Sequence, residues 1–446
     1  MAAHQRTVDA VQASYRRIPA MTQLRLAKRT SNLFRPRTRT GAGVEVGDLD
    51  NVIAVDVQAC TAEVQGMCTY ERLVQVTLAH GLMPSVVPQL KTITLGGAVA
   101  GLGIESSSLR NGLPHESVLE MDILTGSGEL VTASAEQHSD LYEAFPNSYG
   151  SLGYAVRLRI RLEPVSPYVA LRHVRFRSID QLTAAVDEVG RTGNWQGEQV
   201  HFIDGVVFTP AESYLSLGSW STRGQPSDYT GQQIYYRSIR DRDRDCLTVH
   251  DYLWRWDTDW FWCSAAFGAQ HPVLRRLWPR RYRRSDVYHR ILGLENRYGI
   301  AAKLDSRLGR PARERVVQDV EVPLEQTAGF LAWFTDHVGM APVWICPLRT
   351  RQSWPLYPLE PARTYVNVGF WGTVPIRPGL RDGDVNRAVE QAVSDFGGHK
   401  SLYSDVYYDP DTFDAMYGGE TLRTVKKRYD PEDRLTGMYE KVVGSR

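Results

Sequence analysis

TLGGAVAGLGIESSS, residues Thr94–Ser108, is the stretch on which the reading of this chain turns. Its four closely spaced glycines, Gly96, Gly97, Gly101 and Gly103, let a backbone lie flat against a bulky group where any Cβ would collide. The small and hydroxylated residues between them offer amide and hydroxyl donors to an anion. Alone, such a run is also what an ordinary glycine-rich turn looks like, and its surroundings have to decide.

Those surroundings read as alternating short elements. Asn51–Val57 and Cys60–Val64 have strand character, and Tyr70–His80 has helical spacing that ends at Gly81. After the glycines, Met121–Leu124 and Glu129–Thr132 flank Thr125-Gly126-Ser127-Gly128, which is hairpin chemistry. Ser139–Ala144 follows as a short helix. Gly150-Ser151-Leu152-Gly153-Tyr154 then leads into Ala155–Leu162, where apolar residues alternate with arginines in strand period.

In this order and separation the segments resemble the flavin domain of the vanillyl-alcohol-oxidase, or PCMH, type of FAD protein, in which a T-[LIV]-G-G segment and a later G-x-L-G-[FY] segment embrace FAD. The resemblance implies an α+β fold in three parts. A PCMH-type FAD-binding domain covers residues 1–165. A cap, or substrate domain, with an antiparallel sheet and flanking helices covers 166–400, and a C-terminal segment over 401–446 returns to the FAD domain. It assigns FAD contact to Thr94, Leu95, Gly96, Gly97, Ala98, Val99, Ala100, Gly101, Leu102, Gly103, Ile104, Glu105 and Ser106, and to Leu152, Gly153 and Tyr154. The family's pyrophosphate loop is matched by Leu26–Phe34, LAKRTSNLF, which lacks the usual glycines. Lys28, Arg29, Thr30, Ser31 and Asn32 can bind diphosphate by charge and hydroxyl donors, or simply form a basic surface loop. That loop holds no His or Cys for covalent attachment, so dissociable FAD is expected, with His115 as the exception to check.

GLGIESSS, together with HFIDG (His201–Gly205), DVEVP (Asp319–Pro323), PVWICP (Pro342–Pro347), YVNVG (Tyr365–Gly369) and LYSDVY (Leu402–Tyr407), resembles the Δ24-sterol reductase branch. Closer still is the likeness to the actinobacterial flavoproteins that reduce a 10-methylene acyl chain to the 10-methyl acid. This likeness implies an NADPH-consuming ene-reductase acting on an acyl phospholipid, with a methyltransferase as its pathway partner. A sterol Δ24-type reductase, a FAD-linked oxidase or dehydrogenase of an alcohol or hydroxy acid, and a non-catalytic binding module are the alternatives. Hydride does not add to an isolated electron-rich double bond unless a proton arrives with it, so a general acid is required. Tyr403, Asp405 and Tyr407 alternate in strand period and would point the same way. Asp405, alone or through Tyr403 or Tyr407, is the expected acid and Glu105 its rival; the plain alternative is one polar face of an ordinary strand. Oxidases of the wider family carry a lysine in this stretch, and Ser404 takes its place here.

Composition bounds the rest. With 446 residues, 42% hydrophobic, the chain can bury a sizeable core, and a formal net charge of +1 gives no overall attraction to nucleic acid. Five scattered cysteines without a C-x-x-C point to a reducing compartment and to no metal site. The N-terminus has no apolar signal segment, and no uncharged apolar run is long enough to span a bilayer. A cytoplasmic protein is expected, with peripheral contact at the inner face of the plasma membrane. The contact is suggested by WRWDTDWFWC (Trp254–Cys263) and by LRRLWPRRYRRSDVYHR (Leu274–Arg290), since tryptophan and arginine together suit a lipid headgroup layer. Tryptophans in the core, and arginines paired with the acids of Arg237–Asp245, are the competing reading.

Overall fold

In the computed structural model, which describes residues 2–28, 32–35, 41–298 and 308–443, the chain builds two antiparallel sheets in succession. The first has the order Val52–Asp56, Thr61–Gln65, Tyr154–Pro164, Val118–Leu124, Leu130–Ser134, with Leu82–Pro84 pairing the far end of the central strand. That central strand shows why its arginines alternate with apolar residues. Leu158, Ile160 and Leu162 are buried, while Arg157 faces outward and pairs with Glu63 at 2.5 Å and Asp122 at 2.6 Å on the strands either side. The acids sit beside it because the register places Asp122 opposite Arg157 and Glu63 opposite Arg159.

The chain changes sheet between Pro164 and Tyr168. The second sheet has eight strands in the order Arg244–Thr248, Tyr168–Phe176, Glu212–Ser221, Phe202–Thr209, Val343–Leu348, Tyr365–Pro375, Arg313–Pro323, His399–Lys400. Helices Ile179–Thr192, Thr327–His337 and Asp384–Asp395 cover one face, packing Leu182, Val186, Phe330, Phe334 and Val389 against Ile203, Ile345, Val320, Val366 and Val368. Successive strand residues point to opposite faces. The other face therefore carries Asp204, Asp319, Glu321, Trp344, Asn367 and Trp371, and it looks toward the first sheet.

Helix Ala2–Arg16 lays Val8, Val11 and Tyr15 on a short parallel pair, Leu24–Ala27 with Ala42–Glu45. The C-terminal helices close on the same region: Leu24 N–H donates to the Arg434 carbonyl at 2.7 Å and Ser127 N–H to that of Tyr429 at 3.1 Å. The fold is α+β, with the expected elements at nearly their expected positions. Two segments differ. Leu95–Ala100 is a short helix capped by Thr94, whose Oγ1 accepts from Gly97 N–H at 3.2 Å, rather than a flat turn. Leu402–Tyr407 is not a strand, because after His399–Lys400 the chain leaves the sheet edge and runs irregularly to Asp409.

Gly96 and Gly66 press backbone on backbone. A Cβ on Gly96 would come within 2.7 Å of the Gly66 carbonyl oxygen, and one on Gly66 within 1.9 Å of that of Ala155. Gly66→Ala is expected to destabilise the protein by about 1–3 kcal/mol through overpacking, read as a lowered denaturant midpoint.

Candidate functional site

Between the two sheets lies a cavity of about 350 Å³. Its floor is the glycine segment: Thr94, Gly96, Gly97, Ala98, Ala100, Gly101, Leu102, Gly103, Ile104 and Glu105 all line it. Leu95 and Val99 point away into the core, and Ser106 turns to Tyr252, whose hydroxyl lies 2.8 Å from its own. Gly153 and Tyr154 line the cavity, whereas Leu152 is core. A Cβ on Gly97 would meet only Thr94 Oγ1, at 2.8 Å, so once that side chain turns aside a longer side chain there would project into the open space.

Three groups of side chains complete the lining. The first is apolar and comes from the N-terminal cluster: Val11, Leu24, Leu26, Val46 and Leu49. The second is cationic, with Lys28, Arg35 and Lys441. Arg35 Nε donates to the Leu402 carbonyl at 3.0 Å, and its guanidinium sits over Tyr149. Lys441 Nζ donates to the Gly150 carbonyl at 2.6 Å, yet its pKa is lowered to about 7, first by burial and then by the charges of Lys426, Arg35 and Lys28. Like charges gathered in a cleft favour an anion between them. Of the other loop residues expected at the diphosphate, Asn32 lines the cavity and accepts from Thr92 Oγ1 at 3.1 Å, while Arg29, Thr30 and Ser31 lie outside the described residues.

The third group is aromatic, with one acid: Phe34, Trp260, Phe261, Trp344, Trp371, Tyr403 and Asp319. Phe34 stacks on Trp260 at 5.5 Å and meets Tyr403 edge-on at 5.7 Å. Phe261 and Trp371 are 4.4 Å apart, centroid to centroid. Trp371 Nε1 donates to the Tyr403 hydroxyl at 2.8 Å, and the Asp319 carboxyl lies close enough to that hydroxyl for each to shift the other's proton affinity. Burial raises Asp319 to about 7, against the pull of the Asn367 amide, which donates to Oδ1 at 3.3 Å, and of Tyr403. Glu321, two residues along on the same strand face, is pushed by burial to about 8 and accepts from Ser401 Oγ at 3.0 Å. Tyr403 itself is held well above its ordinary value by burial and by Asp319, so it is a protonated phenol.

The expected acid is elsewhere. Asp405 does not line the cavity; it pairs with Arg315 at 2.6 Å, because the irregular path after Lys400 breaks the two-residue alternation that would have aligned it with Tyr403. Tyr407 is likewise turned away and receives the Arg387 guanidinium on its ring at 4.7 Å. Glu105 does line the cavity, and burial raises it to about 8, but both its oxygens are held by Gln89, from the backbone N–H at 2.9 Å and from Nε2 at 2.5 Å. Ser404 is buried outside the lining, and the nearby Lys400 is locked to Glu390 at 2.5 Å. His115 is buried against Trp354, away from the cavity, and the described lining holds one cysteine, Cys263, and no histidine. Asp319 opens the DVEVP motif, which the sequence alone does not mark as part of the site. Its sequence signal is an acid alternating with valines, DVEV, in which Val320 and Val322 enter the helix-covered core.

Residues 3–134 match the family model described as a FAD binding domain. Over 411 residues the chain is 24% identical to the Δ24-sterol reductase of Homo sapiens, covering 89% of this chain and 76% of that protein. It is 24% identical to the Δ24-sterol reductase of Arabidopsis thaliana, with the same shares of each. To cytokinin dehydrogenase 2 of Oryza sativa subsp. japonica it is 31% identical over 185 residues, which is 39% of this chain and 31% of that one. A cavity floored by bare backbone and lined by cations and aromatic rings suits FAD, and residues 3–134 are a FAD-binding domain of the PCMH type. The chain is related to the Δ24-sterol reductases. Among the described residues no helix is long and apolar enough to cross a membrane, and no cluster of three or more His, Cys, Asp or Glu could hold a metal.

Gly97→Leu is expected to give a folded, colourless protein, with far-UV circular dichroism retained and flavin absorbance lost. Lys441→Met should weaken FAD binding about tenfold or more, as loss of a charge-assisted contact does, read by flavin fluorescence titration. Stability should also depend on pH. Glu105, Asp319 and Glu321 keep protons in the folded state that the unfolded chain releases above about pH 4. The buried His115, His173 and His399 stay neutral where the unfolded chain binds protons below about pH 6.5. The two sets oppose each other below that point, and stability falls as pH rises from about 6.5 through about 8. Urea midpoints across that window check the sign, and Asp319→Asn should flatten the slope.

Proposed function

We propose that this protein is a FAD-dependent, NADPH-consuming reductase of an isolated C=C bond in a lipid, converting a 10-methylene acyl phospholipid into the 10-methyl acyl product. The observation that carries this reading is the grouping of Trp371, Tyr403 and Asp319 at the cavity, a phenol hydroxyl held by the Trp371 indole with a buried carboxyl beside it, set among aromatic faces. The names of the sterol reductase relatives support reduction as the direction.

Bound FAD, once reduced by NADPH, supplies the hydride that such a reduction needs. The residues of the chain supply the rest. Tyr403 releases its Oη proton to the terminal methylene carbon, and Asp319 replaces it with its own, so that no bare phenolate is left in the low-dielectric interior. Protonation there places positive character on the more substituted carbon, which the faces of Trp260, Trp344 and Trp371 stabilise. That carbon is left open to the hydride that reduced FAD would supply, and Asp319 regains a proton from solvent. The same aromatic walls exclude water, which would otherwise capture the cation. Lys28, Asn32, Arg35 and Lys441 would hold the cofactor's diphosphate by charge and hydrogen bonds, and the apolar Val11, Leu24, Val46 and Leu49 would take its adenine. The methylene group is the product of a methyltransferase acting earlier on the same acyl chain, and the enzyme works at the cytoplasmic face of the membrane that carries that lipid.

The test is anaerobic reduction of the purified flavin with NADPH, followed by single-turnover reoxidation with a methylene-branched acyl lipid, a Δ24-sterol or oxygen. Fast reoxidation by the acyl lipid is expected. Tyr403→Phe and Asp319→Asn should each slow that step by about 10²–10⁴-fold with flavin still bound, and Asp405→Asn should leave it near normal. Because the active form carries the proton, the rate should fall as pH rises through about 7. A rate that rises over that interval would instead make Asp319 a base, as oxidation of an alcohol requires.

A further inference from the structure

Four of the large apolar side chains that the structure leaves most exposed lie within ten residues of one another. Val273 is 60% exposed, Leu274 49%, Leu277 74% and Tyr282 44%. They sit on the short helix Pro272–Leu277 and the turn after it, so they form a knob rather than scattered surface residues. A contiguous exposed apolar group of this kind marks a contact site.

The knob is rigidly built. Arg275, from the middle of the helix, turns inward and is buried, with its guanidinium on Asp259 at 2.5 and 3.0 Å and on the Gly231 and Gln233 carbonyls at 2.8 and 3.0 Å. Arg283 closes the turn by donating to the carbonyls of Thr230 at 2.5 Å, Gly231 at 2.6 Å and Trp278 at 2.9 Å. Two buried guanidiniums thus fix a loop whose apolar side chains face water. The tryptophans of Trp254–Cys263, by contrast, are all core, and Arg284 is occupied by Glu71.

Charge and position indicate what the knob meets. From His271 to Arg284 the sequence has six arginines and no acid. Arg276, Arg280 and Arg281 are exposed beside the apolar residues; the acids facing this group from neighbouring elements are Asp228, 3.2 Å from Arg280, and Asp286, paired with Arg284 and Arg290. The knob also rests on the cavity wall. Leu274 lies over Gly268, where a Cβ would come within 3.2 Å of it. Phe267 stacks on Tyr288, which packs on Trp278, and Cys263 at the start of the Cys263–Phe267 turn lines the cavity.

We infer that Val273, Leu274, Leu277 and Tyr282, ringed by Arg276, Arg280 and Arg281, insert into the surface of an anionic phospholipid bilayer and seat the cavity wall on the lipid that carries the substrate. The inference rests on the lipid reading given above. Apolar side chains enter the acyl boundary while the arginines meet lipid phosphates, the combination that holds a protein at an interface without spanning it.

Flotation of the FAD-loaded full chain with phosphatidylcholine vesicles, with and without phosphatidylglycerol, tests it. Binding is expected to the anionic vesicles and to be weak on neutral ones. Val273→Asp/Leu277→Asp and, separately, Arg276→Glu/Arg281→Glu should each lower vesicle partition about tenfold, while melting temperature and single-turnover reduction of a detergent-dispersed alkene stay at wild-type values. Wild-type failure to float, or flotation unchanged in both variants, overturns the inference. So does a concentration-dependent dimer that Val273→Asp/Leu277→Asp dissolves, since the knob would then be a self-association face. Normal flotation with no alkene reduction keeps the docking surface and sinks the substrate reading instead, so the two failures are distinct.

Discussion

The closeness of Gly96 to Gly66 is the constraint from which the rest of the site follows. Gly96 N–H donates to the Gly66 carbonyl at 2.9 Å, and Leu95 N–H to that of Cys68 at 2.9 Å, so the glycine segment is tied by its own backbone to the first sheet. A side chain on Gly96 would force it off the Gly66 carbonyl, and one on Gly66 would run into the Ala155 carbonyl of the central strand. With the segment tied down, its free surface becomes the cavity floor, and Gly101 and Gly103 continue it past Tyr149 and between Pro88 and Pro114. The glycines therefore serve two surfaces: one face packs against protein, and the other stays bare for a ligand.

The second sheet supplies the opposite wall by strand period alone. On Arg313–Pro323, Val316, Val320 and Val322 enter the helix-covered core, so Asp319 and Glu321 must face the cavity side. On Tyr365–Pro375 the same alternation sends Val366, Val368 and Phe370 inward and leaves Asn367 and Trp371 beside Asp319. Burying two carboxyls on this face without a cation to balance them costs stability in their charged forms, and each therefore keeps its proton to higher pH.

The flavin domain was legible because its evidence is local. Glycine spacing, a hairpin turn and an arginine-bearing strand each occupy a few consecutive residues. Tyr403 lines the cavity, but Asp405 does not join it there, because the strand that would align the two does not form. The acid that does line the cavity with it, Asp319, comes 84 residues earlier in the chain, a juxtaposition that the fold creates and that no spacing along one segment reveals. The Trp254–Cys263 run misled in the opposite way: amphipathic rings look interfacial in one dimension, yet Trp256 and Trp344 both donate to Asp204 in the interior. The apolar residues of the helix that follows were plain in the sequence, and only their exposure was hidden.

Lys441 adds a coupling between cofactor and solvent. With its pKa near 7 among other cations, its amine is only partly charged at neutrality. An anionic group lodged between Lys441, Arg35 and Lys28 would restore the full charge, so loading the flavin takes up hydrogen ions from the buffer. The holoprotein should on that account give up its flavin more readily in alkaline medium than in mildly acidic medium.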